Sequence, residues 1–289
     1  KVGKKLHEAI YAVPNRTVKI AEPLESSVVV QRGPTHDSVI EEMREHFIHE
    51  SRESPVDVAQ VLKSLKAEIV VNYLPTGSDK ATYAYAEAAL VAGCSFINCM
   101  PTPIAKDQSW RKRFEDKGLV LMGDDIKSQL GATILNRAIL ALLKMRGVKI
   151  TKSEQVNYGG NADHFNLHYR PEAKEASKED ALTSVLSGDD AKPTARMVYT
   201  ERNYDHKQAK IKISGEIWGH IPISIDLTLE DEDSPNSAGV VIDAVRAAKT
   251  LVDKGRHVKA REACAFLMKS PPAQLPDAEA LGKFREVLN

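Results

Sequence analysis

Apolar positions recur along this chain with two different periods, and the change of period divides it. Leu6, Ala9 and Ile10 recur at helical spacing at the start, as do Val39, Ile40, Met43 and Phe47 over 37–50 and Val58, Val61, Leu62 and Leu65 after Pro55. Val28-Val29-Val30, between Pro23 and Gly33-Pro34, reads as a strand or loop edge. The run 67–75 is β-branched and passes through Asn72 to Pro75, which predicts a buried strand opening into a loop. An Ala-rich helix follows over 79–92 and is stopped by Gly93. Next come a strand over 95–98 ending in Asn98, a helix around 110–117, and a strand over 119–122 that runs into Gly123-Asp124-Asp125. Strands alternating with helices predict a parallel, doubly wound sheet, and such sheets bind ligands off the carboxyl ends of their strands. Asn72, Asn98 and Asp125 fall on that edge.

Beyond a helix over 129–146 the period shortens to two. Ile221, Ile223, Ile225, Leu227 and Leu229 alternate with Pro222, Ser224, Asp226 and Thr228, and Ala209, Ile211 and Ile213 share one side of 206–217. This predicts an antiparallel sheet with one covered face, in a second domain spanning about 127–232. Ser234-Pro235-Asn236-Ser237-Ala238-Gly239 then leads into a helix whose face carries Val241, Ala244, Val245, Ala248 and Leu251, closed by Gly255, and expected to return to the first sheet.

Charge and composition narrow the function. Lys plus Arg (40) equals Asp plus Glu (40), so the chain has no basic excess to favour nucleic acid or a membrane surface. No apolar run approaches the ~20 residues of a membrane span, and the lysine-rich start has no apolar stretch behind it to make a signal peptide. Cys94, Cys99 and Cys264 form no Cys-x-x-Cys pair and sit in apolar company, which predicts buried thiols in a reducing, cytoplasmic setting.

Several polar residues are candidates for chemistry. Lys174 and Lys178 are four apart and would share a helix face, although such pairs are usually solvated. Lys269 follows Ala265-Phe266-Leu267-Met268 and precedes two prolines, and a lysine in apolar company needs a partner. Asp125 and Asp233 each stand where a helix N-cap could be. His164 and His168 are also four apart, but Asn166 and Pro171 argue against a helix there and no third metal ligand is evident, so these histidines and His206 read as polar supporting residues.

Val71-Asn72-Tyr73-Leu74-Pro75-Thr76-Gly77-Ser78, Gly123-Asp124-Asp125-Ile126-Lys127-Ser128, Gly159-Gly160-Asn161-Ala162-Asp163, Asp233-Ser234-Pro235-Asn236-Ser237-Ala238-Gly239 and Leu267-Met268-Lys269-Ser270-Pro271-Pro272 occur in that order. Together they resemble the prokaryotic branch of the myo-inositol-1-phosphate synthases. The resemblance implies an α/β fold: a Rossmann-like doubly wound parallel sheet plus an inserted α+β domain with a largely antiparallel sheet. It assigns 1–126 and 234–289 to NAD binding and 127–233 to catalysis and tetramerisation. It implies a cytoplasmic homotetramer that cyclises glucose 6-phosphate with NAD and takes no nucleic acid or membrane partner.

By the same resemblance, Lys174, Lys178, Lys207, Lys269, Asp125, Asp163 and Asp233 form the catalytic site. Asn72, Leu74, Pro75, Ser78, Asn98, Asp125, Ser128 and Thr133 lie along the cofactor. The resemblance also implies a divalent or monovalent metal ion near the phosphate, for which no residue is identified. The reaction must neutralise a dianionic phosphate, remove a hydroxyl proton at C5 and stabilise oxyanions at C5 and C1. Lysines suit these tasks, and a cluster of them is expected to lower the members' pKa values by repulsion and burial.

Two departures from the family pattern stand out. No G-x-G-x-x-G occurs, and the family places that phosphate-binding turn upstream of the segment resembling Lys1–Leu6, so a strand and Gly-x-Gly are expected before Lys1. The stretch between Asp163 and Lys174 is shorter than the family's. The competing readings are an NAD(P)-dependent dehydrogenase of similar two-domain plan, which would release NADH, and a non-catalytic sugar-phosphate-binding homologue.

Overall fold

The computed structural model describes residues 1–10, 18, 20–37, 39–170, 172–186 and 191–289, with the side chains of 173 and 174 outside that description. Its first part begins with three short helices, α1 (Leu6–Ala9), α2 (Glu41–His46) and α3 (Val58–Ser64), the last capped by the Asp57 carboxylate, which accepts the Gln60 N–H. Val28–Val30 makes no named strand; Val29 forms an isolated bridge to Lys5. Then β1 (Ile69–Asn72), α4 (Asp79–Ala92), β2 (Ser95–Asn98), α5 (Gln108–Glu115) and β3 (Leu121–Met122) alternate, and the three strands pair in parallel in the order β1-β2-β3. Gly93 ends α4 at φ 80°, the left-handed conformation that glycine reaches without Cβ strain.

The second part contains α6 (Ala132–Met145), β4 (Lys149–Gly159), α7 (Ala162–Tyr169), α8 (Glu172–Leu186), β5 (Pro193–Tyr199), β6 (His206–Ile217) and β7 (Ile221–Glu232). Its sheet runs β5-β4-β6-β7. β4, β6 and β7 are antiparallel neighbours, as expected for a largely antiparallel sheet, and β5 lies parallel to β4. The reason is the connection: α7 and α8 intervene between β4 and β5, and a helical crossover returns the chain in the same direction. Leu140 and Leu143 of α6 and Leu182 and Leu186 of α8 cover Ile150, Ala209, Ile211 and Ile213 of the sheet.

α7 corrects the reading against a helix around His164. Asn161 caps it by accepting the His164 N–H at 3.0 Å, and the helix ends at Tyr169, before the proline that would have broken it. Asn166 is accommodated because its side chain donates outward, to the Thr76 carbonyl at 2.9 Å.

Three helices then return to the first sheet: α9 (Asp233–Asp253), α10 (Ala260–Leu267) and α11 (Asp277–Leu288). Pro235 lies in the first turn of α9, where a missing N–H costs no helical bond. Ala244, Ala248, Leu251, Cys264 and Leu267 pack on one face of the parallel sheet, against Ile97 and Met122. Ala86, Leu90 and Phe114 cover the other face, against Phe96 and Leu121. Helices therefore cover both faces, as expected for a doubly wound sheet. The Arg137 guanidinium, 1% exposed, links the two parts by donating to Asp277 (3.0 Å), the Ser184 hydroxyl (2.7 Å) and the Leu275 carbonyl (3.1 Å). All three cysteines are buried thiols. No helix among the described residues is long and apolar enough to cross a membrane.

Candidate active site

Strand ends and the second sheet meet around a cavity of about 860 Å³. One wall follows from the parallel sheet: Leu74 and Pro75 leave the end of β1, Cys99 and Met100 the end of β2, and Ile126 and Ser128 follow β3. A dinucleotide in a doubly wound fold occupies this position, so the residues present fit the NAD that the resemblance implies.

The start of α6 forms another wall. Gly131, Ala132, Thr133 and Ile134 all line the cavity, and Gly131 at the N-cap makes no side-chain cap bond. The first backbone bond back to Gly131 comes from Leu135 at 3.0 Å, so the preceding N–H groups are the orphan donors of a 14-residue helix. Orphan donors and the positive end of the helix dipole together make a seat for a phosphate.

The cavity collects three of the four candidate lysines, each already partnered. Lys207, on β6, lies 3.2 Å from Asp231 and 2.5 Å from Asp233. Burial pulls its ammonium towards a lower pKa, but the two carboxylates outweigh burial and the net shift is upward. This corrects the expectation that clustered lysines depress one another, because the fold supplies a local excess of carboxylate at Lys207. Lys269 lies 3.1 Å from an oxygen of Asp125. Lys178, on α8, is 6% exposed and points at the Met197 sulfur, 2.8 Å away. Lys174 lies on the backbone of α8, and its side chain falls outside the described residues.

The aspartates divide into wall and support. Asp163 and Asp233 line the cavity. Asp125 is fully buried behind Lys269 and its second oxygen accepts the Ser177 hydroxyl at 2.8 Å. Asp125 does not cap α6, whose N-cap is Gly131, and Asp233 is the first residue of α9, whose N-cap is Glu232, with its carboxylate engaged by Lys207.

Among the expected cofactor contacts, Leu74, Pro75, Ser128 and Thr133 line the cavity; Asn72, Ser78, Asn98 and Asp125 do not. The amide groups of Asn72 and Asn98 are spent inside the fold. Asn72 donates to the Asn98 side-chain oxygen Oδ1 (2.8 Å) and the Thr82 hydroxyl (3.0 Å), and Asn98 donates to Asp124 (2.7 Å). Asp124 also accepts the N–H groups of Ala105 and Lys106, and burial pushes its carboxyl up to about 7. This buried brace sets the shape of the strand ends.

Two further residues of the cavity wall, Lys127 and His164, lie outside the expected catalytic and cofactor sets. Lys127, 3% exposed, donates to the Ala265 carbonyl at 2.9 Å and stands 3.7 Å from Asp277; burial pulls its pKa down to about 8. Its signal was present, as a lysine inside the Gly123–Ser128 motif beside apolar Ile126. His164 was read from sequence as a polar supporting residue, and its place in the wall depends on α7, the helix that reading argued against. It is 2% exposed, and burial lowers its pKa. Among the described residues no group of three or more His, Cys, Asp or Glu is arranged to hold a metal ion, so the implied metal finds no such ligand set there.

The family described as myo-inositol-1-phosphate synthase matches residues 131–234, the segment that builds the α6 and lysine walls. A Mycolicibacterium smegmatis protein named inositol-3-phosphate synthase is 44% identical over 289 residues, covering 96% of this chain and 78% of that protein. The crystal structure of Ari2 superposes with a TM-score of 0.76 at 32% identity, covering 100% of this chain and 80% of Ari2. A myo-inositol-1-phosphate synthase-related protein from Thermotoga maritima shares the fold at a TM-score of 0.76 and 22% identity, covering 99% of this chain and 83% of that one.

Proposed function

The chain belongs to the myo-inositol-1-phosphate synthase family, with inositol-3-phosphate synthase as its enzyme class, and on that premise we propose that it converts D-glucose 6-phosphate to 1D-myo-inositol 3-phosphate with NAD. The proposed sequence is oxidation at C5, enolisation, intramolecular aldol closure between C1 and C6, and re-reduction. NAD, when bound, supplies the acceptor for the C5 hydride and returns it, so each turnover leaves the cofactor as it began.

The observation that carries this reading is the convergence of Lys178, Lys207 and Lys269, from three distant parts of the chain, on one cavity with the uncapped start of α6. The orphan N–H groups of α6, with Lys178 and Lys207, hold the phosphate. Lys269, fixed by Asp125, donates to the oxyanion that forms at C1. Lys174, by resemblance, moves the C5 hydroxyl proton. Asp163 and Asp233 balance the charge, so that Lys178 and Lys207 stay protonated donors until substrate arrives, while Lys174 takes the C5 hydroxyl proton as a neutral amine. Leu74, Pro75, Ser128 and Thr133 face the cofactor, while Asn72, Ser78, Asn98 and Asp125 hold the strand ends that receive it.

Residues 1–126 and 234–289 form the cofactor-binding unit, and 127–233 hold the substrate and build a homotetramer. Ile217, Trp218 (93% exposed) and Ile221, at the β6–β7 hairpin, supply apolar surface for that assembly. Three buried thiols suit the cytoplasm.

The test uses the full-length product of the gene with glucose 6-phosphate and NAD, following products by phosphorus NMR and the cofactor by absorbance. Inositol phosphate accumulating without net NADH supports the reading. NADH released in step with substrate consumption would show a dehydrogenase instead.

A further inference from the structure

We propose that His164 is a substrate-contacting residue whose Nε2 accepts a hydrogen bond from a hydroxyl of the bound sugar phosphate. The inference rests on the synthase reading for the identity of the sugar, but its geometry stands apart from the lysine set.

A chain of contacts fixes the imidazole. Asp205, 2% exposed, accepts the Asn161 side-chain N–H at 3.0 Å, which orients the Asn161 amide with its oxygen towards the histidine. That oxygen receives the His164 backbone N–H at 3.0 Å and lies 3.1 Å from Nδ1. An amide oxygen only accepts, so the network assigns the proton to Nδ1 and leaves a lone pair on Nε2. The ring lies against Gly159, where a Cβ would stand 2.5–2.6 Å from three ring atoms. Glycine therefore leaves the room the ring occupies.

Nε2 has no hydrogen-bond partner among the described residues, and it is buried. A buried acceptor left unpaired is costly, and at a functional site it calls for a partner from outside the protein. His164 lines the cavity beside Asp163, Lys178, Lys207 and Asp233. A lone pair accepts from a donor, which excludes a phosphate oxygen and selects a hydroxyl.

The charged groups around the ring are Asp163 on its own helix, Lys178 from α8, Lys207 from β6 and Asp233 from α9, with Asp233 3.9 Å from Nδ1; Asp205 stands behind Asn161. Burial outweighs the aspartates and holds the pKa below the usual histidine value of 6.5, so the imidazole is a neutral acceptor at neutral pH.

The experiment combines spectroscopy and kinetics on the full-length enzyme. Nitrogen-15 NMR of the histidines is expected to show the Nδ1–H tautomer and a shift of the Nε2 resonance on saturation with glucose 6-phosphate. His164→Phe is expected to lower kcat/KM by about 10- to 100-fold, the effect of leaving one buried partner unpaired. His164→Gln, which keeps an acceptor, recovers part of the loss and abolishes the acid limb of the kcat/KM profile that His164 sets below pH 6.5. A series of mono-deoxy sugar phosphates completes the cycle. For the analogue that lacks the contacting hydroxyl, wild type and His164→Phe should be equally poor.

An equal penalty of the mutation on every analogue, with melting midpoints matched, overturns the proposal by showing a structural role. An unmoved Nε2 resonance at saturation overturns it as well. If the wild type binds glucose 6-phosphate but makes no inositol phosphate, the synthase reading fails while a shifted Nε2 still supports the contact.

Discussion

Replacing Lys207 by methionine keeps the length of the side chain and removes the ammonium held between Asp231 and Asp233. The side chains of Lys207 and Asp231 are 8% and 11% exposed, and that of Asp233 is 26% exposed. Breaking a buried ion pair by deleting one partner costs about 3–5 kcal/mol, because the remaining charge is stranded. The partial exposure of Asp233 places this case at the lower end, about 3 kcal/mol. At roughly 2 °C per kcal/mol for a chain of this size, the melting midpoint falls by about 6 °C.

The pH dependence gives the sign. In the wild type the Lys207 pKa is raised, so its contribution is whole below the ordinary lysine value of 10.5 and is lost only as pH rises through the folded value. In the variant two carboxylates face each other without the ammonium, and each raises the other's pKa. A raised carboxyl pKa favours the folded state only where the group is protonated, so the deficit is small near about pH 5 and grows towards about pH 8. Circular-dichroism melts at both pH values measure it. A midpoint unchanged at the higher pH, or a deficit that widens on acidification, refutes the argument that these carboxylates depend on Lys207.

The other predictions concern the groups around it. Asp124→Asn is nearly isosteric, but it sets an NH2 group against donors from Asn98, Ala105 and Lys106, and urea unfolding should show a loss of about 1–3 kcal/mol. Lys127, with a folded pKa of about 8 against an ordinary 10.5, gives up its proton first in the folded state, so its contribution to stability rises as pH increases through that window. Asp277→Asn removes the carboxylate that holds this pKa up, and the rise in melting midpoint should begin at a lower pH. Lys269→Met is expected to lower kcat by about 10²–10³-fold with little change in KM, since its role is an oxyanion contact made in the transition state; steady-state formation of inositol phosphate checks it.

Local sequence determined the elements whose signals lie within a few residues. Gly93 ends α4 where the alanine run stops, β2 spans 95–98, and the alternation at 221–229 is β7. β4 escaped because its inward positions Ser153, Gln155 and Asn157 are polar. They are satisfied by Asn136 and by one another, so the strand carries no apolar period of two. Asn161 could cap α7 and Pro171 stands beyond the end of that helix, a fit that composition alone did not reveal.

Chain order and residue type also pointed to Lys178, Lys207, Lys269 and their aspartates, but only tertiary structure decided their pairing. Lys207 meets Asp231 through the register of β6 and β7, and Lys269 meets Asp125, 144 residues away, through the bridge between Ile126 and Met268. The direction of each pKa shift was likewise set in space, upward at Lys207 and downward at Lys127 and His164. Backbone preference is a property of neighbours in sequence. The charge state of a buried group depends on how much water it loses and which charges lie within a few ångströms, and both depend on residues that the fold brings from far along the chain.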